Sequence, residues 1–239
     1  MTDDVDVDPL GSVSRSTLHF FWIADCSGSM RGGGKIQSLN NAIHECLPAT
    51  RESAVANPFA EMAVRAIKFS SGAQWHVEEP TSVEEFVWED LEAGGITDLG
   101  AAIRLLSSEL DPERMGRRNL PPVVVLLSDG APTDDWQKAL AEFNDTGWGQ
   151  PGRTVRVAIA IGADADKDVL AQFTGSRETV FQADNAQRLT DLIKWASVTL
   201  SRYASSGASQ VGGSPKDAVP IPPPPVPAVD DEDEIDDTW

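Results

Sequence analysis

Leu18-His19-Phe20-Phe21-Trp22-Ile23-Ala24 leads directly into Asp25-Cys26-Ser27-Gly28-Ser29-Met30, and this junction decides the architecture. A bulky run without polar alternation is the pattern of a strand covered on both faces, as in parallel sheets flanked by helices. Asp25 therefore stands where that strand leaves the sheet at its carboxyl end, the edge at which open α/β sheets bind ligands. Asp25, Ser27 and Ser29 offer one carboxylate and two neutral hydroxyl oxygens from a single tight loop, a donor set suited to a hard cation such as Mg²⁺. Taken alone, the same stretch reads equally as a helix-capping turn after a strand.

Two further stretches extend the pattern. Gly94-Gly95-Ile96-Thr97-Asp98-Leu99-Gly100 places a hydroxyl just ahead of a helical repeat. Val123-Val124-Val125-Leu126-Leu127-Ser128-Asp129-Gly130 ends a second doubly buried strand in an aspartate followed by glycine. Three loops then meet at one sheet edge. In this order the chain resembles the von Willebrand factor A (VWA) family, whose metal-ion-dependent adhesion site is written D-x-S-x-S, then T, then D-G. The resemblance implies metal ligation by Asp25, Ser27, Ser29, Thr97 and Asp129, and none of the five departs from the motif.

The resemblance narrows further. Ser128 to Trp136, followed late in the chain by Leu192-Ile193-Lys194-Trp195-Ala196-Ser197, is similar to the TerY-type domains of bacterial tellurium-resistance and stress-response clusters. It implies an adaptor that binds Mg²⁺ (or Mn²⁺ or Ca²⁺) and accepts an acidic residue of a protein partner on the metal. The partners so implied are a protein kinase and a PP2C-like phosphatase. Another reading of the same domain makes it the companion of an AAA+ ATPase of the MoxR or chelatase kind. A Mg²⁺-dependent phosphatase would place a second acid two residues after Asp25, where Ser27 stands, and no general acid is evident. The chain is read as a non-enzyme.

Composition bounds these readings. The 239 residues, 41% of them hydrophobic, suffice for one large domain with appendages. A net charge of −19 disfavours nucleic acid and anionic membranes as partners. Cys26 and Cys46 make no disulfide scaffold, and with His19, His44 and His76 they make no zinc spacing. An acidic start and the lack of a long apolar run lead to a cytoplasmic expectation.

The expected fold is α/β, doubly wound, with a mostly parallel central sheet, one antiparallel edge strand and helices on both faces, the Rossmann-like VWA arrangement. Residues 1–16 read as a disordered acidic leader, 17–203 as the VWA domain and 204–239 as a disordered tail. Within the domain, Gly32-Gly33-Gly34 is a joint, and Lys35 opens a helix with Ile36, Leu39, Ile43 and Leu47 on one face. A phosphate-binding G-x-x-x-x-G-K-[ST] loop is excluded, because Ser29 and Ile36 stand where glycine and a hydroxyl would be needed. Ala63 to Phe69 and Ala73 to Glu78 form the antiparallel hairpin around Ser70-Ser71-Gly72. Thr133 reads as the N-cap of a helix with Asp134 and Asp135 in its first turn. Trp148 reads as a partner anchor or as a side chain tucked back onto its own domain. The tail joins a polyproline stretch, 220–227, to an acidic end carrying Ile235 and Trp239. It is either a solvating appendage or an arm whose carboxylates reach partner or metal.

Overall fold

The computed structural model describes residues 15–110, 120–206 and 221–226. The leader up to residue 14 and the acidic end with Ile235 and Trp239 lie outside the described residues.

Six strands form one sheet in the order β3-β2-β1-β4-β5-β6. Strand β1 spans Ser16–Asp25, β2 Ala60–Ser70, β3 Gly72–Ser82, β4 Val123–Ser128, β5 Val155–Ile161 and β6 Val180–Ala183. All neighbours run parallel except β2 and β3, the expected hairpin at one edge. The helices are α1 (Lys35–Val55), α2 (Leu99–Glu109), α3 (Trp136–Asn144), α4 (Lys167–Thr174), α5 (Ala186–Trp195) and α6 (Ser201–Ser205). Among the described residues no helix is long and apolar enough to cross a membrane.

The unbroken apolar runs follow from cover on both faces. On β1, Leu18, Phe20, Trp22 and Ala24 join the core under α1 and α5, while Phe21 and Ile23 join the core under α2, α3 and α4. Strand β4 splits the same way, with Val123, Val125 and Leu127 on one side and Val124 and Leu126 on the other. Every apolar side chain of these two strands therefore has a core to enter, and their central position carries Asp25 and Asp129 to one edge.

Several boundaries differ from the sequence-based expectation. The strand expected to end at Asp129 ends at Ser128. A 3₁₀ segment, Gly28–Gly34, precedes α1 with Met30 buried inside, and the glycine joint is the kink in it: Gly32 is extended, and Gly33 and Gly34 have φ +60° and +76°. The closing helix is broken by a π turn over Ala196–Leu200 before α6. Trp148 is half-buried against the core under α2 and α3, so it is tucked back. From the proline stretch, Ile221 packs on the core under α1, and Arg188 Nη1 donates to the Pro225 carbonyl at 2.6 Å.

Candidate metal centre

Asp25 is the last residue of β1 and is 0% exposed, so it is a buried carboxylate at the carboxyl end of the strand. Ser128 Oγ donates to Asp25 Oδ2 at 2.6 Å, and the Ser27 backbone N–H donates to Oδ1 at 2.8 Å. Desolvation nevertheless dominates and pushes the Asp25 carboxyl up to about 6; the two serines oppose the rise and the charge of Asp129 adds to it. Nothing in the local sequence marks Ser128 for this role, because only the adjacency of β1 and β4 brings it to Asp25.

Ser27 is buried and Ser29 exposed, with their hydroxyl oxygens 3.0 Å apart. The loop before Thr97 is stitched to this one by backbone bonds, Gly94 N–H to Cys26 O at 2.8 Å and Gly28 N–H to Gly95 O at 3.1 Å. Thr97 is buried and joined to the third loop: Thr133 N–H donates to Thr97 O at 2.8 Å, and Thr97 N–H donates to Thr133 Oγ1 at 3.2 Å. The three loops are therefore laced into one rim.

Asp129 is buried, and among the described residues no hydrogen-bond donor reaches either carboxylate oxygen. Orphaned carboxylate oxygens are costly in a dry site and call for a cation. Lys35 Nζ stands 3.6 Å from Asp129 Oδ2, beyond hydrogen-bond length, and 2.9 Å from Asp164 Oδ1. The bond from Lys35 holds the Asp164 carboxyl below the usual carboxylate range. Among the described residues no three His, Cys, Asp or Glu side chains gather as a metal cage. The donor set is instead two carboxylates and three hydroxyls, which fits a hard divalent cation that keeps part of its water.

The reading of Asp134 is corrected. Helix α3 starts at Trp136 with Asp135 at its N-cap and no side-chain capping bond. The Asp134 carboxylate instead accepts from Gly100 N–H and Ala101 N–H, each at 3.0 Å, capping α2 across the rim. Thr133 Oγ1 likewise turns to Asp98 Oδ1 at 3.3 Å. Local propensity favoured the nearer helix; the third loop reaches α2 only in three dimensions. Asp134→Ala is expected to cost about 1–2 kcal/mol, as loss of a cap does. Asp135→Ala should stay within about 0.5 kcal/mol. Urea unfolding of both variants checks this, and equal losses would return the cap to α3.

Comparison with known proteins bears on the same features. The sequence profile of the von Willebrand factor type A domain matches residues 22–195. None of the curated proteins matches the chain. Among solved structures, proximal thread matrix protein 1 from the mussel byssus, with zinc occupying its MIDAS motif, is 16% identical with a TM-score of 0.57 over 78% of this chain and 48% of that one. The pilus adhesin SpaC of Lactobacillus rhamnosus GG, in its open conformation, gives 14% and 0.62 over 80% of this chain and 31% of that one. A von Willebrand factor type A protein from Catenulispora acidiphila gives 16% and 0.54 over 77% and 42%. This chain thus spans less than half of each of them, and at these identities the likeness is one of fold.

Proposed function

The chain belongs to the von Willebrand factor type A domain family, and on that premise we propose that it works as a metal-ion-dependent protein-interaction module. Asp25, Ser27, Ser29, Thr97 and Asp129 hold the ion, Mg²⁺ by preference for oxygen donors, with Mn²⁺ and Ca²⁺ as substitutes. The observation that carries the reading is the Asp129 carboxylate, buried with neither oxygen bonded at the edge where the three loops meet. The zinc held in the motif of the mussel protein supports it by analogy of fold.

Two carboxylates about balance a divalent charge, so the ion accepts one further carboxylate from a partner without a large surplus of negative charge. Such an ion is a bridge, and affinity belongs to the complex. The buried hydroxyl that meets a carboxylate at the rim, Ser128 Oγ on Asp25 Oδ2, serves to hold that ligand, so no turnover accompanies binding. In the finer reading the chain is a cytoplasmic adaptor of TerY type in a stress or tellurite-resistance system, joined to a kinase and a PP2C-like phosphatase.

Affinity capture on immobilised full-length chain tests it, in Mg²⁺ and in chelator, with wild type and Asp25→Asn. Partners retained by wild type in Mg²⁺ and lost in the other three conditions are the expected result. Capture of an AAA+ ATPase in place of kinase and phosphatase would overturn the finer reading, and capture indifferent to Mg²⁺ would overturn the module itself. Hydrolysis of a phosphoester by the pure chain, lost in Asp25→Asn, would make it an enzyme.

A further inference from the structure

Lys35 is the first residue of α1 and is 5% exposed, although lysine is almost never buried without a partner. Its ammonium lies between two carboxylates of opposite character. Asp129, 3.6 Å away, is buried and has no hydrogen-bond donor among the described residues, whereas Asp164, 2.9 Å away, is 74% exposed on its side chain. The protein keeps room for this arrangement. Gly162 has φ +91°, and a Cβ there would stand 2.7 Å from Lys35 Cε and 2.8 Å from Nζ. Gln182 Nε2 pins the same glycine by donating to its carbonyl at 2.6 Å.

Resting on the divalent-cation reading above, we propose that Lys35 is a tethered counter-cation of the metal site: it neutralises Asp129 in the ion-free protein, and yields Asp129 to an incoming divalent ion while staying bonded to Asp164. The ammonium keeps the two buried aspartates from facing each other without positive charge. An arriving monovalent ion brings no more charge than the ammonium already supplies, and it lacks the tether; a divalent ion brings twice as much. Lys35 thereby lowers affinity for every ion and filters for divalent ones. Asp164 is the residue that lets it yield, because an exposed carboxylate offers the ammonium a second bond without a second desolvation. Lys35 is thus a specificity-determining neighbour of the ligands and not itself a ligand.

Calorimetric titration of the full-length chain with Mg²⁺ and, separately, Mn²⁺ tests this. Lys35→Met, which keeps the length and buried stem of the side chain, is expected to bind Mg²⁺ about 5-fold or more tightly than wild type. Asp164→Asn, which leaves Lys35 to Asp129 alone, is expected to weaken binding. The double variant decides the mechanism: if Asp164 acts through Lys35, adding Asp164→Asn to Lys35→Met changes nothing. A full Asp164→Asn effect in the Lys35→Met background would show that Asp164 attracts the ion directly, and would overturn the proposal. So would a Lys35→Met protein that binds no tighter than wild type. If Lys35→Met does not fold, Lys35→Gln carries the same comparison. Wild type that binds neither ion, and whose Lys35 variants also bind neither, overturns the metal reading itself. Wild type that binds while Lys35→Met gains nothing overturns this inference alone.

Discussion

Replacing Asp25 by asparagine is expected to remove Mg²⁺ binding while making the ion-free protein more stable. The first half follows from the loss of one of the two carboxylates that balance the ion; affinity should fall by about 100-fold or more, since second-shell changes alone cost 10–100-fold. The second half follows from burial. A carboxyl whose ordinary value is 3.8 and which stands at about 6 in the fold costs about 3 kcal/mol when ionised at neutral pH. Asparagine is nearly the same shape without the charge. Its Oδ1 still accepts from Ser27 N–H, and Ser128 Oγ, already accepting from Gly130 N–H at 2.8 Å, can turn to accept from the new amide.

The sign for pH is the reverse of a paired surface carboxylate. Because the folded value is raised, the contribution of Asp25 is fully favourable below about 4 and is lost as pH rises through about 6. In chelator, the stability difference between Asp25→Asn and wild type should therefore shrink as pH is lowered from 7 to 4, and Mg²⁺ at pH 7 should stabilise wild type only. Chemical unfolding at a series of pH values, with and without Mg²⁺, measures both. A variant that retains Mg²⁺ stabilisation would remove Asp25 from the site. A variant less stable than wild type in chelator at pH 7 would mean that its two hydrogen bonds outweigh the desolvated charge.

Gly130→Ala is expected to produce the other large loss, because it strains the loop carrying Asp129 without touching any ligand. Gly130 sits at φ +74°, and a Cβ there would lie 2.8 Å from the Asp166 carbonyl oxygen and 3.2 Å from its nitrogen, both backbone atoms. The left-handed conformation costs a non-glycine residue about 1 kcal/mol. The clash adds about 1–3 kcal/mol of overpacking. The fold has little slack here. Asp166 N–H donates to Asp129 O at 3.0 Å, and Asp166 Oδ1 caps α4 by accepting from Asp168 and Val169 N–H. Separating the loops therefore either shifts Asp129 or uncaps α4. A melting temperature lower by about 5–10 °C is expected for a domain of this size, with Mg²⁺ affinity reduced about 10-fold or more, as loss of a well-placed ligand shell implies. Affinity and melting temperature both within error of wild type would show that the Asp129 loop does not need its present position.

What the sequence determined by itself was the layered architecture and the two strand ends that carry Asp25 and Asp129 to one edge. Runs such as Phe20 to Ala24 and Val123 to Leu127 leave no polar face, so cover on both sides follows from composition alone, and chain order puts Asp25 and Asp129 at the ends of two such runs. These are local properties, with periods of two or a few residues. The tertiary structure alone decided how the rim is supported. Lys35 and Asp164 are 129 residues apart, Ser128 and Asp25 103 apart, and Asp134 and Gly100 34 apart, and no local pattern encodes those meetings. Asp134 shows the reason most clearly: its neighbours in sequence made it a residue of the α3 first turn, but α3 begins two residues later, and the first-turn N–H groups of α2 that its own helix cannot satisfy lay within reach of its carboxylate. A side chain takes the partner that space offers, and burial, which set Asp25 at 0% exposure and left Asp129 without a donor, is a property of the packed rim and not of any stretch of chain within it.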